Sequence, residues 1–261
     1  MSDLQLDDLS GGRFRGRTHE HWTALQGVHG GVVAALALAA VERQLASDGV
    51  DDSVSLRAAT IGYVSGTVVG DLDIEVDVVR RGRSLVTTHA STTQDGKTTT
   101  VARFHHSTPW DGVEFSDAMP SPPMPPDAER LDRERPAHVN NVETYLHPST
   151  QLFGGAERAE WLAWSRPLDG AIVDSAWLLM YGDYFPPAVF TRTTGPSRAV
   201  TIEYSLQVHV AGREWDLGTD GLLAARMHAF HSHDGFAVED GTVHLPDGRL
   251  LATTRQTRLA G

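Results

Sequence analysis

Gly27-Val28-His29-Gly30-Gly31-Val32-Val33-Ala34-Ala35-Leu36-Ala37-Leu38-Ala39-Ala40-Val41-Glu42 is the stretch that decides the fold. It opens with glycines, runs on in small apolar residues and shows no polar face before Glu42. A helix that is apolar all round has to be enclosed by protein. No Ser, Thr, Asp or Asn caps its first turn, so the N–H groups of Gly30 and Gly31 are left for something else. Such an end can receive a carbonyl oxygen or an anion. A packed core helix whose glycines only permit close approach fits the same letters.

Composition bounds what this helix can belong to. At 261 residues and 40% hydrophobic content, the chain can bury the core of one large domain or two small ones. The lack of Cys removes disulfides, thiolate nucleophiles and Cys-based zinc sites, and fits a reducing compartment. A formal charge of −12 argues against nucleic-acid binding, which needs a basic surface. The start of the chain is acidic, and the apolar run Val32 to Val41 is short for a bilayer. The expectation is a cytoplasmic protein with no membrane partner.

Beyond the helix the pattern changes to strands. Leu72-Asp73-Ile74-Glu75-Val76-Asp77-Val78 alternates strictly, with aliphatics on one face and acids on the other, as a half-buried antiparallel strand does. Turns at Arg80-Arg81-Gly82-Arg83-Ser84 and Asp95-Gly96 separate it from Leu85–Thr93 and Thr98–Phe104, a meander. Seven prolines from Pro109 to Pro136 then read as an extended linker. The second half repeats the first. Gly170-Ala171-Ile172-Val173 opens an apolar segment that ends at Tyr181-Gly182-Asp183 before Pro186-Pro187, and Ile202 to Val210 alternates. Trp22 and Trp161 lie 139 apart, as do Gly31 and Gly170; Glu42 and Asp183 lie 141 apart, as do Thr60 and Thr201; Asp95 and Asp247 lie 152 apart. Offsets that drift only where turns absorb insertions indicate two copies of one α+β unit. The expected domains are 1–108 and 139–261, with the linker at 109–138.

A buried helix opened by Gly-Gly and wrapped by an antiparallel meander, twice over, resembles the double hotdog fold. The whole chain resembles the type II acyl-CoA thioesterases and their thioesterase-like relatives. The motifs that carry the resemblance are Val28-His29-Gly30-Gly31, Arg80-Arg81-Gly82-Arg83-Ser84-Leu85, Met180-Tyr181-Gly182-Asp183, Val200-Thr201-Ile202-Glu203 and Asp247-Gly248-Arg249-Leu250-Leu251-Ala252-Thr253-Thr254-Arg255-Gln256. In that family an Asp ending the second helix, a Thr on the next strand and a Gln on the last strand bind and activate a water. Matched by motif, these are Asp183, Thr201 and Gln256. The resemblance implies thioester hydrolysis of an acyl-CoA without a cofactor, in a chain that associates further as a homo-oligomer.

The residue types suit that chemistry. Hydrolysis needs a water made nucleophilic and donors where the carbonyl oxygen gains charge. Asp183, at a helix C-terminus and beside Tyr184 and Phe185, is in surroundings that disfavour its charged form. It would also suit an ordinary helix-stop turn. A hydroxyl and an amide at Thr201 and Gln256 can position a water, although alternation puts Thr201 on the polar side with Glu203 unless a bulge turns it. The N–H groups of Gly30 and Gly31 are the candidate oxyanion donors, with His29 able to add a hydrogen bond. Arg80, Arg81 and Arg83 form a local cationic cluster for coenzyme A phosphates, or simply a solvated turn.

Other readings stay open. His228, His231 and His233 have a spacing that some metal sites use, with no evident carboxylate partner, so no metal is expected. His29 with Asp183 could imitate the His–acid pair of a hotdog dehydratase or hydratase, and a non-catalytic acyl-CoA-binding protein is a third class. Within the repeat, Phe104 stands where Gln256 would be, and Asp169-Gly170 opens the second helix instead of His29-Gly30-Gly31. The cleft containing Glu42, Thr60 and Phe104 is therefore expected to be silent.

Overall fold

The computed structural model describes residues 4–131, 136–168, 170, 172–195 and 197–261. β1 (Leu6–Asp8) and β2 (Arg13–Thr18) precede a small hairpin, β3 (Thr23–Ala24) with β4 (Gly27–Val28), which delivers the chain into α1 (Gly30–Ser47). β5 (Ser55–Tyr63), β6 (Gly70–Arg81), β7 (Leu85–Gln94) and β8 (Lys97–Ser107) complete the first half. After the Pro-rich segment come β9 (Glu129–Arg130), β10 (Val142–Leu146), β11 (Ala159–Pro167), β12 (Ile172–Asp174) and α2 (Ser175–Gly182). β13 (Ala199–Val208), β14 (Glu214–Asp216), β15 (Leu223–His233), β16 (Phe236–His244) and β17 (Leu250–Ala260) follow.

Thirteen of these strands form one antiparallel sheet in the order β1-β2-β6-β7-β8-β5-β13-β17-β16-β15-β11-β10-β9. Read outward from the β5–β13 junction, the two halves run through corresponding strands, so the repeat is a pseudo-twofold. Its axis passes between Thr60 and Ser205, because Ala58 pairs with Gln207 and Gly62 with Glu203 symmetrically about that pair. The architecture is a double hotdog, α+β.

Local chemistry accounts for the elements. Along β6, Leu72, Ile74 and Val76 are buried while Asp73, Glu75 and Asp77 are exposed, as strict alternation requires. Asp95 and Gly96 adopt φ of 51° and 74°, the pair of positive values that a two-residue hairpin demands. By length and composition α1 could cross a membrane, but its residues from Gly31 to Leu38 are all buried against β2, β6, β7, β8 and α2. Each fully buried Val or Leu there contributes about 1.5–3 kcal/mol relative to exposure.

One expectation is corrected. The second helix starts at Ser175, not at Gly170, because Ile172–Asp174 pairs with Glu214–Asp216 as a two-stranded ribbon. The pairing uses the backbone groups that a first helical turn would have needed. Asp169, expected to put a carboxylate at that helix start, lies outside the described residues.

The helices meet end to start, where small residues are obligatory. A Cβ on Gly31 would lie 2.7 Å from the Met180 carbonyl oxygen, and one on Gly30 would lie 3.1 Å from Asp183 Oδ2. The C-terminus of α2 is thereby brought against the N-terminus of α1.

Candidate active site

His29 is the residue before α1, and its own side chain does not cap the helix start. Asp183 is the residue after α2. Close approach of the two ends places the Asp183 carboxylate on the exposed backbone donors of α1, and the Gly31 N–H bonds it. An anion at a helix N-terminus is favoured by the aligned peptide dipoles. Tyr63, the last residue of β5, donates its phenol to Asp183 Oδ2 at 3.2 Å.

Asp183 is nonetheless buried, only 7% exposed, and burial pushes its carboxyl up to about 6. The Arg258 charge, the Tyr63 hydrogen bond and the Gly31 N–H each pull it back toward the ionised form. A carboxyl placed there takes and releases a proton near neutral pH.

Two histidines flank it as neutral rings. His29 Nε2 donates to the backbone oxygen of Asp183 at 3.1 Å, and its ring stacks on His138 with centroids 4.5 Å apart. Burial holds His29 down at about 4 and His138 at about 3. His138 comes from a short 3-10 turn, Ala137–Asn141, whose start lies inside the segment expected to be a linker. His29 thus holds the main chain of Asp183, not its carboxylate, and the Gly31 N–H expected to meet a substrate oxygen is already on that carboxylate.

The strands supply the rest. Pairing of β13 with β17 slips between Thr201 and Glu203, leaving Ile202 as an extra residue. This bulge turns Thr201 inward, and its hydroxyl donates to Gln256 Oε1 at 3.0 Å. Gln256 Nε2 donates to the Gly182 carbonyl at 3.2 Å, one residue from Asp183. Asp183, Thr201 and Gln256 are therefore brought together with His29, Gly30 and Gly31.

Four members of the cluster were not foreseen: Tyr63, His138, Arg258 and Glu239. Arg258 donates to Thr201 Oγ1 at 2.7 Å and to Glu239 Oε1 at 2.9 Å. Both charged groups are at most 5% exposed. Arg258 was legible, since alternation puts it on the face of Gln256. The others arrive by contacts distant in sequence.

The remaining candidates lie elsewhere. Arg80 and Arg81 are exposed at the hairpin end of β6, and Arg81, Val86, His106 and Leu56 form one cross-strand row. That row is at the opposite end of β5 from Tyr63, seven residues or about 23 Å along the strand. Arg83 is exposed in the same turn. His231 and His233 are exposed at the corresponding hairpin of the second half, and His228 is half-buried on β15. Among the described residues no group of His, Asp or Glu is placed to hold a metal.

Bulge positions also reassign one counterpart. β5 carries its bulge between Leu56 and Ala58, so Leu56, not Thr60, corresponds to Thr201. Phe104 and His106 then correspond to Gln256 and Arg258. Thr60 faces the outer side of the sheet with Glu203.

Comparison with known proteins bears on this arrangement. The sequence profile of the acyl-CoA thioesterase N-terminal domain matches residues 18–107, and that of the C-terminal domain matches residues 116–260. No curated protein matches the chain. Among solved structures, a hot dog fold protein of unknown function from Alicyclobacillus acidocaldarius superimposes with a TM-score of 0.86 at 24% identity, covering 99% of this chain and 96% of that one. Acyl-CoA thioesterase II TesB2 from Mycobacterium marinum superimposes with a TM-score of 0.77 at 20% identity, again over 99% and 96%. At these identities the structural likeness speaks for the fold.

Proposed function

Since the chain belongs to the acyl-CoA thioesterase family, we propose that it hydrolyses an acyl-CoA to the free acid and coenzyme A, with Asp183 as general base. The observation that carries this reading is the convergence of a buried carboxyl near neutral pKa, a helix start that His29 does not cap and a directed Thr–Gln pair, drawn from both halves of the chain.

The chemistry follows from these groups. A water accepts the second N–H of Gln256 and donates to the Asp183 carboxylate. Asp183 takes its proton as the oxygen attacks the thioester carbonyl. The N–H groups of Gly30 and Gly31, the latter shared with Asp183, receive the developing oxyanion. The tetrahedral intermediate expels the thiolate, which recovers the proton from Asp183. Attachment of His29 to the Asp183 main chain supports hydrolysis over a dehydratase, whose His would need to face the carboxylate or the substrate.

Thiol release from acyl-CoAs of graded chain length tests the proposal. Release from at least one member is expected; binding by several members without release would replace the enzyme by an acyl-CoA carrier. We further propose a homo-oligomer, because the sheet ends in the unpaired edges of β1 and β9, and a cytoplasmic location, which the lack of Cys suits. Light scattering that returns only 28.3 kDa at micromolar concentration would refute self-association.

A further inference from the structure

A buried guanidinium costs free energy unless its charge and its donors are matched. Arg258 is 5% exposed, and its two terminal nitrogens reach Thr201 and Glu239. Glu239 is itself tied down, its Oε2 accepting the Ala188 N–H at 2.5 Å. Ala188 follows the Pro186-Pro187 turn that ends the Asp183 loop. The ion pair therefore links the last strand to the segment carrying the base.

Arginine can only donate. Thr201 Oγ1 must accept from Arg258, so its single hydrogen goes to Gln256 Oε1. That fixes the oxygen end of the amide, and the Gly182 carbonyl independently requires its nitrogen end where it lies. Both ends of the chain agree, and the second amide N–H is aimed in one direction only. Charge gives a second argument. The groups that face Asp183 are Tyr63 from β5, Tyr204 from β13, His29 and Gly31 at the start of α1, His138 from the 3-10 turn and Arg258 from β17. With both histidines held neutral, Arg258 is the one cation among them.

We propose that Arg258, anchored by Glu239, is a positioning residue of the hydrolytic site: it sets the donor–acceptor direction of the Thr201–Gln256 pair and supplies the positive charge that faces the Asp183 carboxylate. The proposal rests on the reading of Asp183 as general base. It concerns no contact with substrate.

Removing Arg258 alone would strand the Glu239 carboxylate, so the test uses Arg258→Gln/Glu239→Gln, which removes both charges together. Thiol release from an accepted acyl-CoA is followed from about pH 5 to about pH 9, with thermal unfolding as the check on folding. In the double variant kcat should fall at least about tenfold with KM within about threefold. The acid limb should move up by about one pH unit, because the charge that favours ionised Asp183 is gone. Arg258→Lys keeps a charge and a donor and should return the limb to its wild-type position. Should the double variant fail to fold, Thr201→Val reads the relay alone: kcat falls about tenfold with an unmoved limb.

A folded double variant with an unmoved limb overturns the proposal, as does Thr201→Val with kcat within about twofold of wild type. Asp183→Asn, assayed in parallel, separates the two levels. If Asp183→Asn is inactive while the Arg258 limb stays put, only the positioning role fails. If it is active, the base assignment fails and takes the positioning role with it.

Discussion

Asp183 and Glu42 occupy related places in the two halves, and their surroundings differ at every chemical contact. Asp183 meets a helix start that His29 leaves without a cap, so its own carboxylate takes the Gly31 N–H, and Thr201, Gln256 and Arg258 line the strands beside it. Glu42 faces the start of α2, where Asp174 accepts the Trp177 N–H at 2.6 Å and fills the cap. Leu56, Phe104 and His106 stand on the corresponding strands. Burial pushes Glu42 up to about 7 and holds His106 down at about 4, and the pair lies 4.0 Å apart, too far for a hydrogen bond. A shared backbone thus gives one half a buried carboxyl met by several donors and gives the other an acid beside a neutral ring, Asp174 and Arg213. The fold supplies the meeting of helix ends in both places, and what differs between them is the cap and three strand residues.

The comparison breaks first at Asp183. Asp183→Asn cannot accept a proton and should lower kcat by about 10²–10⁴ with an unchanged melting curve. In the wild type, turnover should be lost as pH falls through about 6, because protonation of Asp183 removes the base. A rate flat down to pH 5, roughly, would dismiss this carboxyl. Gln256→Leu imports the apolar character of Phe104 and should cost about 10²-fold in kcat, measured by thiol release.

Smaller effects sharpen the contrast between the helix starts. Gly31→Ala must displace both the Met180 carbonyl and the His29 ring and should cost about 1–3 kcal/mol in chemical denaturation, together with activity. Ser175→Ala, at the start of α2, should cost under about 1 kcal/mol, since the Ser175 hydroxyl makes only a long 3.4 Å bond to the Arg213 carbonyl. Equal losses would mean that the two helix ends are not packed differently. The smallest effect belongs to Glu42→Gln, with turnover within about threefold of wild type. Tight-inhibitor titration should count one site per chain, and a count of two would restore the first-half cleft as a working site.

Much of this was legible in the letters. Glycines and small apolar residues marked α1, alternation marked β6, and recurring landmarks marked the repeat. Register was not legible. Thr60-Ile61 and Thr201-Ile202 look alike, yet the bulged residues are Arg57 and Ile202, so matching letters slipped the first half by four residues. A bulge shifts which face a side chain takes, and it is specified by partners across the sheet. The start of α2 misled for a similar reason: Ile172–Asp174 is apolar enough for a helix but is claimed by Glu214–Asp216, some forty residues later. Tyr63 and His138 left no local signal at all.

The junction of β5 with β13 has a consequence for how activity is acquired. Asp183 has no helix start to rest on until the first half is docked, and Thr201 lies on a strand whose neighbour β5 belongs to the other half. The candidate site is therefore a late product of folding, completed by pairings between residues more than a hundred positions apart, which form slowly because long loops must close first. A chain nicked in the exposed segment around Val113 would retain every side chain named above. Once unfolded and diluted back into buffer, it would recover turnover only as fast as its fragments find each other, so the return of activity would report association rather than chemistry.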